Sequence, residues 1–326
     1  MPGPMTPLGA DRILPGIALM LAFCALAPLL DVAAKLAAQT VPVGQITAAR
    51  FVVQGALMVP VALVLRTGWR LPPRMAGLVA LRAAFLIVST YCFVAALTVM
   101  PVADALAIAF VEPFILLVLG RVLFGDEVGP RRIAACATGF GGALLVIQPS
   151  LAAFGAVALY PLGTAFAFAA YMIVTRAMAG GLHPVAMQVH TSAAGAAMAV
   201  PVVWIAQGSG IAAPDPVLPQ GWAWAWLFGV GLWAAVSHLC MTYALTFAPA
   251  STLAPLHYLE IVAAVALGWT VFADWPGSAT WAGIAVIVGS GLYVVHRERR
   301  AARRRPGARV SPAAPPGPRP AAGAAG

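Results

Sequence analysis

STYCFVAALTVMPVADALAIAFVEPFILLVLGRVLFGD (Ser89–Asp126) and SHLCMTYALTFAPASTLAPLHYLEIVAAVALGWTVFAD (Ser237–Asp274) lie 148 residues apart in one chain and align without a gap. Eleven of the 38 positions are identical, among them Ser89/Ser237, Cys92/Cys240, Thr98/Thr246, Pro101/Pro249, Glu112/Glu260, Gly120/Gly268, Phe124/Phe272 and Asp126/Asp274. Apolar composition alone gives only a handful of such coincidences, so the match marks an internal duplication. Each copy reads as the end of one apolar helix, a proline, and a second apolar helix with a glutamate near its middle.

Outward from these stretches the whole chain has the same character. Of 326 residues, 62% are hydrophobic and 9% charged, where a soluble domain carries roughly a quarter of its residues as charged side chains. Apolar runs of about twenty residues recur along nearly the full length, the signal of membrane-spanning helices. The expected fold is all-α and integral to a membrane, with ten spans at 13–38, 42–65, 75–98, 101–124, 130–148, 155–179, 184–207, 221–247, 250–273 and 276–296. Soluble enzyme classes are excluded by this composition. The first segment runs on through Asp31 and Lys35, which argues for a retained helix over a cleaved leader.

Prolines punctuate both halves in the same order. Pro42, Pro101 and Pro130 open helices in the first half, and Pro184, Pro249 and Pro276 in the second, where a missing N–H costs nothing. Arginines set the orientation. Arg66, Arg70 and Arg74 fill the loop after the second segment and Arg121, Arg131 and Arg132 surround the loop after the fourth, while the matching loops of the second half hold no Lys or Arg. The positive-inside rule then gives two oppositely oriented five-helix repeats with both termini cytoplasmic. The organisation expected is a cytoplasmic N-terminus (1–12), a first repeat (13–148), a second repeat (155–296) and a tail (297–326), basic at first and disordered where Pro, Ala and Gly dominate.

The net charge of +9 does not point to nucleic acid, because seven of the basic residues sit in Arg297–Arg309 beside the last apolar segment, as a lipid-facing anchor does. The four cysteines lie in apolar segments without metal-ligand spacing, and no metal or cofactor is expected. No HExxH, Asp-rich prenyltransferase pair or P-loop occurs, so enzymatic function is not expected. The near absence of lysine, with abundant Ala and Gly, suggests a GC-rich bacterial genome and an inner-membrane location.

An ionisable group inside a span costs at least about 2.5–3.5 kcal/mol, so each needs a reason. Glu112 and Glu260, equivalent in the two repeats, read equally as proton or substrate-cation sites and as neutral or paired carboxyls that pin the repeat interface. Asp31 and Lys35 share a helix face and could neutralise each other, or Lys35 could snorkel. Arg50 could bind an anionic substrate group or pair with Asp31 or Glu112. Arg82 reads as a snorkelling side chain near a helix end, and Asp104 as a helix-dipole partner. His238, His257 and Tyr258 fall near the centre, as packing residues or substrate contacts. Gly139, Gly142, Gly289 and Gly291 offer surfaces for close helix crossings.

AALTVMPVADALAIAFVEPFILLVLGRVLFGDE (95–127), GFGGALLVIQP (139–149), YALTFAPASTLAPLHYLEIVAAVALGWTVFADWP (243–276) and GIAVIVGSGLYVVHRER (283–299) resemble the drug/metabolite transporter superfamily, specifically its EamA-type ten-helix branch. Asp31-x3-Lys35 followed by Gln45-x4-Arg50 is similar to a group there containing riboflavin- and S-adenosylmethionine-type carriers. The resemblance implies a secondary carrier of a small polar metabolite, working by alternating access around a central cavity, with Arg50, Glu112, His257 and Glu260 near it. Proton coupling, and a monomer or homodimer in the bilayer, stand as expectations. An importer of the riboflavin or S-adenosylmethionine type is one alternative, and a membrane-embedded enzyme or signalling partner another. Ile261 replaces the proline found at Pro113, which predicts a less bent second repeat.

Overall fold

A computed structural model describes residues 13–303 except 68–69, 126–128, 249–252 and 254–255. The N-terminal segment 1–12, the tail from 304, Asp126, Pro249 and the side chain of Cys136 lie outside the described residues. The described chain is helical: α1 (Ile13–Ala37), α2 (Val43–Val64), α3 (Pro73–Leu97), α4 (Val102–Ala109), α5 (Glu112–Phe124), α6 (Pro130–Phe154), α7 (Tyr160–Met178), α8 (Pro184–Ile205), α9 (Ala223–Phe247), α10 (Glu260–Phe272) and α11 (Ser278–Arg303), with a 3-10 turn Gly155–Leu159 before α7. Six segments are long and apolar enough to cross a membrane by length and composition: Leu14–Ala37, Val43–Val64, Pro73–Leu97, Val102–Phe124, Ile133–Met178 and Ala223–Phe247. The fifth, at 46 residues, is long enough for two passes of about 20 residues each. Glu260–Phe272 and Ser278–Ser290 are shorter apolar helices.

The helix contacts repeat when the first half is exchanged for the second. α1 packs on α9 and α7 on α3; α2 touches α9 and α8 touches α3; α1 touches α10 and α7 touches α5. The pairs α2–α8 and α6–α11 map onto themselves. Small residues permit the tightest of these approaches. A Cβ on Gly142 of α6 would stand 2.9 Å from the Gly283 carbonyl of α11, and one on Gly283 would stand 2.7 Å from the Gly142 carbonyl. Gly283 thus makes the crossing expected of Gly289, which has open space around it.

The expected continuous fourth segment is interrupted, and so is the ninth. α4 stops at Ala109 and α5 starts at Glu112. At the break the Val111 N–H donates to the Ile108 carbonyl (3.3 Å) and the Phe114 N–H to the Val111 carbonyl (3.1 Å). In the second half Leu259 donates to Leu256 (2.9 Å) and Val262 to Leu259 (3.2 Å), the same bonds 148 residues on. These i→i+3 bonds tighten the chain where the helix restarts. The prediction of a less bent second repeat is therefore corrected: the break recurs with Ile261 in place of Pro113, so the proline tolerates it without being its cause. Each glutamate becomes the first residue of a helix, where the dipole favours a carboxylate.

Both restarted helices end alike. Gly125 (φ 67°) and Ala273 (φ 55°) occupy equivalent positions and close α5 and α10 in the left-handed conformation. That geometry costs an L-residue roughly 1–2 kcal/mol and glycine almost nothing. Ala273→Gly is expected to stabilise the protein by about 0.5–1 kcal/mol after its extra unfolded-state entropy, read as a raised melting temperature in detergent. Ala273→Val should lower it.

Candidate functional site

A cavity of about 680 Å³, counted out to its mouth, lies between the two halves. Its walls come from α1, α2, α3 and α7, the ends of α4 and α5, and the matching stretch of the second half, so the duplicated breaks lie at its centre. Phe23, Phe93, Phe110 and Phe168 supply aromatic walls, and Asp31, Arg50, Glu112, His238, His257 and Glu260 the charged and titratable groups.

His257 is the focus. Its Nδ1 lies 2.9 Å from Glu112 Oε2 and its Nε2 lies 3.0 Å from Glu260 Oε2. The two glutamates are repeat equivalents, so one unduplicated imidazole bridges a duplicated pair of acids. An ionised carboxylate only accepts hydrogen bonds. Either an imidazolium donates to both acids, or one acid carries the proton and donates to the ring; in both cases the triad holds the same shared proton. Aromatic rings close around it: Phe168 stacks on His257 (centroids 5.7 Å, 24° between planes), with Phe23 at 5.2 Å and Phe110 at 6.2 Å. Glu112 Oε1 is buried and unpaired among the described residues.

Arg50 repeats the motif. Its Nη1 donates to the Thr90 hydroxyl and its Nη2 lies 2.7 Å from His238 Nε2. Thr90 and His238 are again 148 residues apart, so a second unduplicated cation spans equivalent positions. Arginine cannot accept, so His238 Nε2 must, which leaves the proton on Nδ1, 3.1 Å from the Tyr171 hydroxyl. Arg50 thus pairs with neither Asp31 nor Glu112 directly. Its neighbours there are hydroxyl and imidazole, because α2 meets α3 and α9 at this level.

Tyr171 leads to Arg82, and here the expectation of snorkelling is overturned. Arg82 is fully buried. Its Nε donates to Thr175 (2.8 Å), Nη1 to Thr191 and Gln188, and Nη2 to Tyr171 (2.7 Å) and Thr242 (3.4 Å). All five N–H groups are used, on three helices other than its own. Thr175, Thr191 and Thr242 each donate back to the carbonyl four residues earlier, freeing their lone pairs for the guanidinium. In the sequence these are threonines scattered over three separate helices, which no local pattern joins.

The remaining expected residues divide. Asp31 is buried, lines the cavity and makes no hydrogen bond among the described residues. Lys35 does not neutralise it: its long stem carries Nζ past the end of α1 to Asp274 Oδ2 (2.6 Å) and over the Phe272 ring (4.6 Å). Tyr258 turns from the cavity, its ring against Phe110 and its hydroxyl towards Gly139 of α6. Asp104 accepts from Thr280 (2.8 Å) as well as standing in the first turn of α4.

A family model described as the EamA-like transporter family matches residues 14–148 and again 155–295. A riboflavin transporter of Brucella anthropi is 28% identical over 225 residues, 67% of this chain and 76% of that protein. One of Rhizobium johnstonii is 31% identical over 180 residues, covering 55% of this chain and 57% of its own length. One of Vibrio cholerae is 26% identical over 173 residues, 53% and 55% of the two chains. A crystal structure with 20% sequence identity superposes with a TM-score of 0.67, covering 90% of this chain and 99% of the other, a likeness of fold.

Proposed function

The chain belongs to the EamA-like transporter family, and from that premise we propose that it carries a riboflavin-like solute, a planar heteroaromatic with polar substituents, across a bacterial inner membrane. The observation that carries this reading is the cavity itself, where Phe23, Phe110 and Phe168 surround an imidazole held between two acids. Aromatic walls suit a flat ring system, which stacks on them at about 0.5–1.5 kcal/mol per pair beyond its area burial. Asp31, Arg50 and the Glu112–His257–Glu260 triad present acceptors and donors to its polar edge. The named activity of the three relatives agrees with that chemistry.

In this account residues 13–148 and 155–296 form two inverted five-helix repeats, giving ten passes with both termini in the cytoplasm. The exchange symmetry of the helix contacts and of the two breaks supports it. Halves so related can trade conformations, and the cavity then faces each side in turn. The shared proton of the triad supplies the coupling: a proton taken or released there changes which of the two half-helix ends holds the ring.

Flavin fluorescence tests the binding step. Riboflavin added to purified protein should be quenched saturably, because stacked aromatic neighbours deactivate the excited ring. Phe168→Ala should raise Kd about tenfold, the equivalent of one good ring contact. Absence of quenching by folded wild type would remove the flavin reading and leave the family assignment standing.

A further inference from the structure

Two cations outside the cavity's centre share a setting that the carrier reading does not use. Lys35 stands two residues before the end of α1, over the ring of Phe272 (4.6 Å) at the last residue of α10. Arg176 stands two residues before the end of α7, over the ring of Phe124 (4.3 Å) at the last residue of α5. Phe124 and Phe272 are one of the duplicated pairs, and α1–α10 and α7–α5 are contacts that exchange on swapping the halves. The two cation–aromatic contacts are therefore the same contact made twice, once in each half. Phe124 is 40% exposed and the Lys35 side chain 17%, so neither contact is sealed in the interior.

They lie at opposite ends of the molecule. Asp104, in the first turn of α4, receives the Thr280 hydroxyl (2.8 Å) and lies within electrostatic reach of Lys35 and Asp274. Phe124 is the other end of the same span, Val102–Phe124, whose 23 residues reach at most about 35 Å. The Lys35 contact thus sits where this span begins and the Arg176 contact where it ends. The cavity lies between them. Asp31, one turn before Lys35 on the same helix face, lines it, as does Phe168, about two turns before Arg176. Lys35 and Asp274 are partly exposed, at 17% and 29%, as groups at a mouth would be.

We propose that Lys35–Phe272–Asp274 and Arg176–Phe124 are a pair of clasps, one at each mouth of the cavity, and that opening to either side requires release of one while the other holds. This inference rests on the alternating-access reading. Both contacts are made in this structure, and each is weak enough to be broken in every cycle. Because the clasps are repeat equivalents, weakening one should favour opening on its side, and weakening the other should favour the opposite side, with no change to the groups that line the cavity.

The test reads accessibility and needs no substrate, so it can fail independently of the flavin assignment. Ser89, which lines the cavity, is replaced by cysteine in full-length protein whose Cys24, Cys92, Cys136 and Cys240 have been changed to serine or alanine. Labelling by a membrane-impermeant maleimide is compared from the two faces in right-side-out and inside-out vesicles. Phe272→Ala should raise labelling several-fold from one face and lower it from the other, and Phe124→Ala should do the reverse. Shifts in the same direction, or none in either variant, would overturn the proposal. Should an alanine variant fail to fold, Phe272→Leu and Phe124→Leu remove the ring face with less loss of packing and must show the same opposition.

Discussion

Replacing Arg82 by methionine is expected to lower the stability of the protein in detergent by about 3 kcal/mol or more, at the upper end of single-substitution effects. The guanidinium ties α3 to Thr175 and Tyr171 of α7, Gln188 and Thr191 of α8, and Thr242 of α9. Its loss leaves buried hydroxyl and amide acceptors without donors. Arg82→Lys should recover only part of the loss, since an ammonium offers three donors where five are used and lacks the planar fork that reaches three helices. Thermal unfolding followed by size-exclusion recovery checks this. A melting temperature equal to wild type would mean that the four helices are held by packing alone.

His257→Ala is expected to reduce solute transport per folded molecule at least tenfold, and to lower thermal stability because two buried acids lose their partner. The ring bridges Glu112 and Glu260, so its removal leaves two buried acids without their shared proton donor and deletes the surface on which Phe23 and Phe168 rest. Residues that act as a unit are non-additive. Glu112→Gln and Glu260→Gln should each impair gradient-driven transport in the wild-type background, and each should add little once His257 is gone. Fully additive losses in the double variants would show that the three side chains do not work together. The transport rate of Glu112→Gln should also lose its dependence on an imposed pH gradient, because the amide can no longer exchange the shared proton.

The internal duplication, several helix boundaries and the matched glutamates were legible in the sequence because each is a short-range or regularly spaced signal. α2, α7, α8 and α9 begin and end within a few residues of expectation, since Pro42 and Pro184 and the apolar run lengths mark them. What could not be read is which residue stands between duplicated ones. His257 meets Glu112 across 145 residues and Arg50 meets His238 across 188, and neither helical periodicity nor alignment of the halves reports on a residue that has no repeat partner. Arg82 was misjudged for a related reason. Its position two turns into α3 suggested reach to a boundary, whereas its partners come from three later helices. The i, i+4 spacing left Lys35 either to Asp31 or to snorkelling, and Asp274, 239 residues away, takes it because the lysine stem points past the helix end. The break before Glu260 was missed because proline was taken as its cause; the matched i→i+3 bonds place the cause in the backbone, common to both halves.

Counterflow in proteoliposomes addresses the central claim most directly. Vesicles loaded with unlabelled riboflavin and holding the purified protein are diluted into labelled riboflavin, and internal label is followed with time. The account predicts transient, saturable accumulation above equilibrium with the wild type and at most a tenth of that rate with His257→Ala. Folded wild-type protein that moves no flavin, or a His257→Ala variant that moves it equally well, would contradict it.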